Sequence, residues 1–429
     1  MTKRRFQALR KFDGYVKKHP RRIYAAIIIV AFILAVSRRP DVVFHPQFWA
    51  EDGEIWYANA YNHGIVSTLF QTYAGYFALI HRLVADLSLA LPLRLAPLFF
   101  NSVGIAIFLL PVMIINSSRF RKVIPNVYAA MLTSLIYIGM LNISEIYGNL
   151  ANIQWPLALS AFLVLFLQAS PRRIWQVCDV LILLAAGVSG PAVIFLIPIA
   201  LYLWWKSKSF QSKLNLVVLV GTTLLQTLGL LVFSHYERIG QQHYNHFIDL
   251  LKIISGQIFV GSVAGEKYIN NFYNNNFAMT LILVVGLALI AYAVIKGPVW
   301  LKALNFFAVC MFFAALVSLH PTKGLNPWDS LTYPTSGQRY WFVPISAWLG
   351  TLLWLALASR RKLIMGVSAL ILLFLVVFGW PHAWRIPPLF NFHFHAYADQ
   401  FNAAPPGTKV SIPVNPLNTP QWNMVLIKK

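Results

Sequence analysis

Long apolar runs alternate with short polar connections along almost the whole chain. Most runs are close to the roughly 20 residues with which a helix crosses a bilayer. About eleven such runs can be distinguished, and the count ranges from nine to twelve, depending on how the shorter runs are counted. They cover 23–37, 95–115, 123–141, 152–169, 174–188, 192–205, 214–234, 277–295, 303–319, 340–358 and 363–380. This pattern predicts an all-α polytopic membrane protein.

Two of these runs, 174–188 and 192–205, are short and flank Ser189-Gly190-Pro191. They can form two short spans or one re-entrant hairpin. Both interpretations leave the topology of the later segments unchanged, because each returns the chain to the side from which it came.

Composition agrees with a membrane protein: 58% of residues are hydrophobic, 11% are charged, and the mean hydropathy is +0.62. The net charge of +22 could indicate nucleic-acid binding. However, the lysines and arginines form short clusters between apolar runs, which is typical of cytoplasmic loops. We therefore exclude nucleic acid as a partner. The two cysteines, Cys178 and Cys310, lie in apolar runs and indicate no disulfide framework.

The basic clusters also predict an orientation. With the N-terminus in the cytoplasm, 22 of the 35 lysines and arginines fall on the inner side, including nine in residues 1–22. Eleven of the 13 acidic residues fall outside, all except Asp13 and Asp179. Because the Lys/Arg bias sets orientation, we expect a cytoplasmic N-terminus, in contact with anionic lipid, and an extracytoplasmic C-terminus.

Three regions follow from this topology. We expect a basic cytoplasmic segment, a transmembrane bundle and an extracytoplasmic tail, at 1–22, 23–380 and 381–429 respectively. The long connections of the bundle, 38–94, 235–276 and 320–339, all fall outside. Long loops carry function more often than the elements that they connect. The working face is therefore expected to be the extracytoplasmic one.

Local patterns within these outer regions predict further elements. Polar residues interrupt apolar ones at 54–63 and 73–91, as in amphipathic helices that lie along a membrane surface. A similar amphipathic run covers 247–264. In the tail, alternation at 409–414 and 422–427 around a Pro/Asn-rich turn predicts two short strands, and hence a small β-element on the outer face.

The strongest chemical candidate is an acidic cluster in the first outer loop. Glu51, Asp52 and Glu54 are three of only 13 acidic residues in the chain. Acidic groups near lipid are costly and usually serve binding, proton transfer or metal capture. Adjacent carboxylates can divide the roles of base and orienting group, since like charges move their pKa values apart. A simpler interpretation is that they stabilise a helix N-terminus.

Cationic candidates could bind a phosphate on the same face. Arg339 begins the run 340–358 from outside, where a guanidinium can hold a phosphate bidentately. Lys323, Arg82 and His81 are further candidates for the same role. The alternative for each is ordinary interfacial anchoring beside aromatic residues.

Several polar and aromatic side chains could bind a sugar or an acceptor by hydrogen bonding and stacking. They are Glu54, Glu145, Asn152, Gln154, Trp155, His243 and His246. The two histidines lie three positions apart, but no further ligands follow at a spacing that indicates zinc. Adjacent carboxylates could instead hold Mg²⁺ or Mn²⁺. The sequence contains no Walker loop, strand-borne GxGxxG, GxSxG or HExxH motif.

Three segments resemble bacterial membrane glycosyltransferases of the GT-C superfamily: Phe48-Trp49-Ala50-Glu51-Asp52-Gly53, Asn152-Ile153-Gln154-Trp155 and Gly337-Gln338-Arg339-Tyr340. The arrangement of an acidic motif in a long first outer loop is also similar. Size and layout are similar to the subgroup of serotype-modifying glucosyltransferases that act on O-antigen. The order here is Glu-Asp, whereas many members have Asp-Glu or Asp-x-Asp. This difference leaves open which carboxylate is the base.

The resemblance implies a multi-pass protein of the bacterial plasma membrane. It implies an inverting hexosyltransferase that moves a sugar from a polyprenyl-phosphate carrier, such as undecaprenyl phosphate, to a glycan or glycolipid acceptor of the cell envelope. Asp52 or Glu51 would be the base, and Arg339, with Lys323, Arg82 or His81, would offset the phosphate charge. No cofactor is required in this scheme, and Mg²⁺ or Mn²⁺ is optional.

Two other functions remain open. A transporter or flippase for lipid-linked saccharides would use broken helices and often inverted repeats; Ser189-Gly190-Pro191 is a break, but no repeat is visible. A polysaccharide polymerase or ligase would also face outward and hold lipid phosphate with arginines. The acidic motif in the first loop favours the transferase over both.

Overall fold

A computed structural model of the chain describes residues 18–233, 247–318, 327–417 and 420–429. These residues are mostly helical, with two small two-stranded sheets. Helices up to the first gap are Pro20–Arg38, Asp41–Phe44, Asp52–Tyr57, Ala58–His63, Ile65–Thr68, Leu79–Ser88, Leu93–Leu95, Ala96–Phe108, Leu110–Asn116, Ser118–Phe120, Val127–Ile138, Ser144–Ile146, Gln154–Leu165, Arg173–Gly187, Pro191–Leu196, Ile197–Ser207 and Phe210–Phe233.

The remaining helices belong to the second half of the chain. They are Phe247–Lys252, Ile253–Val260, Gly261–Ala264, Glu266–Tyr268, Ile269–Tyr273, Asn276–Lys296, Val299–Ser318, Pro327–Ser330, Gln338–Ala358, Lys362–Phe374, Leu375–Gly379, Trp380–Ala383 and Phe394–Ala403. Several follow one another without a break, so that they act as longer continuous helices.

Eight continuous helices in the described residues are long and apolar enough to cross a membrane. They cover Pro20–Arg38, Leu93–Asn116, Phe210–Phe233, Phe247–Ala264, Asn276–Lys296, Val299–Val317, Gln338–Ala358 and Lys362–Ala383. Seven of them coincide with predicted apolar runs. Shorter apolar helices occupy Val127–Ile138, Gln154–Leu165 and Pro191–Ser207. These helices confirm the predicted class of an all-α polytopic membrane protein; they do not fix the number of spans.

The segment 247–264, predicted as an amphipathic run within an outer loop, forms a helix that packs against the outer-loop residues 331–333. This segment is one of the eight long apolar helices and is largely buried against the rest of the protein. Its polar residues face inward: Gln257 is completely buried and donates its amide hydrogens to the carbonyls of Leu331, Thr332 and Tyr333 at 2.9–3.1 Å. An amphipathic sequence pattern shows only that the two faces of a helix differ in polarity. Here the polar face packs against protein instead of facing water.

The short helix Gln154–Leu165 lies at the centre of the bundle. Its residues Pro156–Val164 are all buried, and it packs against the helices Leu110–Asn116, Arg173–Gly187 and Gln338–Ala358. Phe162 stacks on Phe307 with ring centroids 6.0 Å apart. A helix that other helices surround need not reach both lipid surfaces, which accounts for its 12 residues.

The first outer loop folds onto the protein. The predicted helix at 54–63 is present as the π-helix Asp52–Tyr57 and its continuation Ala58–His63. The predicted helix at 73–91 is shorter, Leu79–Ser88, because the residues before it form a hairpin, Thr72–Tyr73 with Tyr76–Phe77. Positive φ angles at Ala74 and Gly75 form its turn.

The tail contains the predicted β-element. Strand Lys409–Pro413 pairs antiparallel with Asn423–Ile427, and alternate residues of both strands are buried. The hairpin packs on the first-loop helix: Asn62 donates to the carbonyl of Val425 at 2.8 Å and accepts from the amide of Ile427 at 3.0 Å. The first loop and the tail therefore lie at the same end of the bundle.

Candidate functional site

Asp52 is completely buried at the start of the first-loop helix. Its Oδ2 accepts a hydrogen bond from the amide of Leu150 at 3.0 Å, whereas Oδ1 has no partner among the described residues. Burial raises the pKa of the Asp52 carboxyl well above its usual value, and the charge of Glu51 raises it further, against the backbone bonds that lower it. Asp52 is therefore a buried acid that links the first outer loop to the segment around Leu150.

Glu51 is half-buried and lies beside two tyrosines of the small hairpin. The Tyr73 hydroxyl donates to its Oε1 at 3.2 Å. Burial raises the pKa of the Tyr76 hydroxyl, and the negative charge of Glu51 adds to that effect. The hairpin thus brings two phenols to Glu51, which is half-buried whereas Asp52 is completely buried.

Arg339 lies at the start of the helix Gln338–Ala358. Its Nη1 lies 3.4 Å from Glu145 Oε2, and its backbone amide donates to the same oxygen at 3.1 Å. Its guanidinium also stacks on the Tyr340 ring, 5.0 Å from the centroid. More than a third of the Arg339 side chain is exposed, since its relative accessibility is 37%. Glu145 orients the arginine without covering it.

Gln154 and Trp155 complete the surroundings of these charges. The side-chain amide of Gln154 hydrogen-bonds the Tyr76 hydroxyl. Trp155 packs edge-on against Tyr340 with ring centroids 5.7 Å apart. Glu51 and Arg339 both act electrostatically on Tyr76, and Glu51 also acts on Arg339, so the carboxylate and the guanidinium lie near one another. We use the name Glu51 cleft for this group of half-buried side chains: Glu51, Tyr73, Tyr76, Glu145, Gln154, Trp155, Arg339 and Tyr340.

The loop 139–153 supplies one wall of this cleft and is held from within. Asn152 donates to the Glu145 carbonyl at 2.8 Å, and Asn149 donates to the same carbonyl at 2.7 Å. Behind the loop, Gly104 leaves no room for a side chain, because a Cβ there would meet the Asn149 backbone. Asn152 is buried, so it positions Glu145 and does not present its amide to a sugar as predicted.

His81 and Arg82 both pack against the indole ring of Trp56. The His81 ring, with a relative accessibility of 2%, is 5.1 Å from the Trp56 ring, and Arg82 covers the same indole at 5.2 Å. Burial lowers the pKa of His81 to about 4. His81 is therefore neutral at pH 7, which does not support its predicted binding of a phosphate. Arg82 Nε donates to the Gln71 carbonyl at 2.9 Å and orders the turn before the hairpin.

The other predicted residues have different placements. Glu54 accepts from the amide of Asn423 at 2.9 Å and so connects the first loop to the tail. His243, His246 and Lys323 lie outside the described residues. Within the described ranges, no group of three or more His, Cys, Asp or Glu side chains could hold a metal ion.

The sequence assigned no role to Tyr73, Tyr76, Tyr340 or Gln338, although the last two lie in one of the segments that carry the resemblance. Gln338 is buried, donates to Asn142 Oδ1 at 3.0 Å, and contacts Ser144 and Glu266. Its position next to Arg339 was the available signal. The tyrosines of the hairpin gave none, because a short Tyr-Ala-Gly-Tyr hairpin is indistinguishable from an interfacial loop until its partner is known.

No protein-family model matches this sequence, and comparison with curated proteins gives no match.

Proposed function

We propose that the protein is an integral-membrane glycosyltransferase that moves a sugar from a polyprenyl-phosphate carrier to a glycan or glycolipid acceptor on the extracytoplasmic side of a bacterial plasma membrane. One observation carries the proposal: a half-buried carboxylate, Glu51, and a partly exposed guanidinium, Arg339, belong to one group of half-buried side chains that includes several aromatic rings. Glycosyl transfer from a lipid phosphate needs a base and a cation in this arrangement.

In the proposed step, the acceptor hydroxyl attacks the anomeric carbon and transfers its proton to Glu51. The bond between the anomeric carbon and the phosphate oxygen breaks, and the leaving polyprenyl phosphate keeps the electron pair. Arg339 offsets the charge that develops on that phosphate. A single displacement inverts the anomeric centre. Trp155 and Tyr340 offer aromatic faces to the sugar, and Gln154 offers hydrogen bonds.

Glu51 suits the role of base better than Asp52. A base must reach the proton that it accepts, and Asp52 is completely buried with its Oδ2 bound to Leu150. Glu51 is half-buried and accepts only from the Tyr73 hydroxyl at 3.2 Å in the described part of the chain. We therefore assign proton transfer to Glu51 and a positioning role to Asp52. The step requires no metal, although Mg²⁺ or Mn²⁺ is compatible with it.

The test is transfer of radiolabelled sugar from a polyprenyl-phosphate donor in membranes that contain the full-length protein. Glu51→Gln and Arg339→Ala should each reduce transfer at least about 100-fold, since a general base and a charge-stabilising group each contribute about that much. Asp399→Asn and Arg94→Ala are matched controls, because Asp399 of the tail and Arg94 at the start of the helix Leu93–Asn116 form an exposed ion pair. Full transfer by both cleft variants would refute the assignment.

A transporter of lipid-linked saccharides is the second candidate. The break at Ser189-Gly190-Pro191 reaches the cleft, because a Cβ at Gly190 would contact the Gln154 amide. Broken helices beside a binding site are a feature of transporters. Movement of the labelled lipid across reconstituted vesicles without sugar transfer would favour this function. A ladder of lengthening products would instead favour a polymerase or ligase.

A further inference from the structure

A second basic pocket lies at the same end of the bundle as the Glu51 cleft but on the other side of Gln338. Its cavity of about 30 Å³ opens where several apolar helices end: Pro20–Arg38, Phe247–Ala264 and Lys362–Ala383. The segment Asn142–Ser144 closes its remaining side. Because helices that cross a bilayer end near its surface, the pocket lies at the depth of lipid headgroups.

The floor of the pocket is Arg38, whose relative accessibility is only 2%. Its Nη1 donates to the carbonyls of Ile138 and Met140 at 2.6 Å, and its Nε to the carbonyl of Trp384 at 3.1 Å. In the described ranges no carboxylate lies within 4.0 Å of Arg38, and Nη2 has no hydrogen-bond acceptor. A buried charge without a carboxylate in direct contact is costly.

The mouth of the pocket adds two exposed cations, Lys267 and Arg385. Neither forms a hydrogen bond or an ion pair with any residue that the structure describes. Glu266 is the acidic residue in the lining. Burial raises the pKa of its carboxyl, while its bond to Gln338 and the charges of Lys267, Arg38 and Arg39 lower it. The lining thus contains one carboxylate, that of Glu266, and three cations, Arg38, Lys267 and Arg385.

We propose that this pocket binds a phosphate group. Arg38 would be the buried counter-ion and Lys267 and Arg385 would hold the outer oxygens. A cavity needs about 10–15 Å³ to hold one water, so this one admits about two oxygens of a tetrahedral anion while the others remain at the mouth. The group could belong to a lipid headgroup or to a soluble phosphate. The proposal does not depend on glycosyl transfer, since it concerns a separate pocket.

The test measures binding to purified full-length protein at constant ionic strength. Inorganic phosphate is the soluble probe, and vesicles of phosphatidylglycerol, compared with phosphatidylcholine, are the lipid probe. The double variant Lys267→Gln/Arg385→Gln should weaken binding of the effective probe at least about tenfold, because two charge-assisted contacts are lost. The matched control is Lys409→Gln/Arg360→Gln, which removes the same charges from exposed positions.

If the wild type prefers phosphatidylglycerol and the pocket variant loses that preference, the ligand is a lipid headgroup. If the wild type binds phosphate saturably and the pocket variant does not, the ligand is a soluble anion. Absence of both, or equal binding by the pocket and control variants, would overturn the proposal. Sugar transfer is measured in parallel. If the pocket variant loses phosphate binding but keeps sugar transfer, the pocket acts separately from the Glu51 cleft. The proposed transferase function is tested only by Glu51→Gln and Arg339→Ala.

Discussion

At the scale of single residues, the adjacent acids of the first loop have separate environments. Asp52 points into the protein and receives the Leu150 amide, whereas Glu51 points to the small hairpin and receives a tyrosine hydroxyl. Neighbours in a helix project about 100° apart, so adjacent side chains rarely share surroundings. The sequence indicates that the pair matters, and only the packing separates the half-buried carboxylate from the buried one.

Asp52 gives a stability prediction. Its raised pKa means that the folded state holds the proton more tightly than the unfolded state, whose carboxyl has a pKa of about 3.9. Its contribution to stability therefore falls as pH rises above about 4. Asp52→Asn should remove this decline and keep the bond from Leu150. Thermal unfolding in detergent from pH 4 to 8 measures both effects.

Asp52→Ala is the contrasting variant, because it leaves the buried Leu150 amide without an acceptor. We expect a loss of about 1–3 kcal/mol in the free energy of unfolding. If Asp52→Asn destabilised the protein as much as Asp52→Ala, the carboxylate charge itself would be required, contrary to the buried-acid interpretation.

His81 gives the opposite pH dependence. With a pKa of about 4 in the folded protein and about 6.5 when unfolded, it binds a proton more readily in the unfolded state. Stability should therefore fall as pH decreases from about 6.5 to 4, by up to about 3 kcal/mol. His81→Asn should flatten this part of the pH–stability curve. An unchanged curve would show that His81 is charged in the folded protein.

At the scale of elements, the helix Ala96–Phe108 approaches the cleft loop 139–153 so closely that only glycine fits at position 104. The atoms that a Cβ would meet belong to the Asn149 backbone, which cannot rotate away as a side chain can. The loop must then move together with Glu145, which holds Arg339.

Gly104→Ala should therefore destabilise the protein by about 1–3 kcal/mol and reduce any sugar transfer. The control is Gly221→Ala in the helix Phe210–Phe233, where a Cβ would meet nothing within 4 Å. That control should be neutral or stabilising by up to about 1 kcal/mol, from helix propensity alone. Similar melting temperatures for the two variants would contradict the close approach.

At the scale of the whole molecule, the tail hairpin and the first-loop helix share one end of the bundle. Charge distribution predicts that this end is extracytoplasmic. Single cysteines at exposed His63 and Lys409, introduced after Cys178→Ser and Cys310→Ser, should react with an impermeant maleimide in intact cells. A cysteine at exposed Arg360 should react only after lysis. Labelling of His63→Cys and Lys409→Cys from opposite sides would contradict the shared end.

The sequence alone determined the membrane class, most of the long helices, the tail hairpin and the acidic motif. These follow from local composition and periodicity, which act within a few turns of chain. Tertiary structure decided what depends on distant partners. It buried the helix Phe247–Ala264 through Gln257, which meets carbonyls more than 70 residues away, neutralised His81 by burial, and brought Arg339 to Glu145. Burial and charge pairing depend on which surfaces meet, and a hydropathy pattern does not specify that.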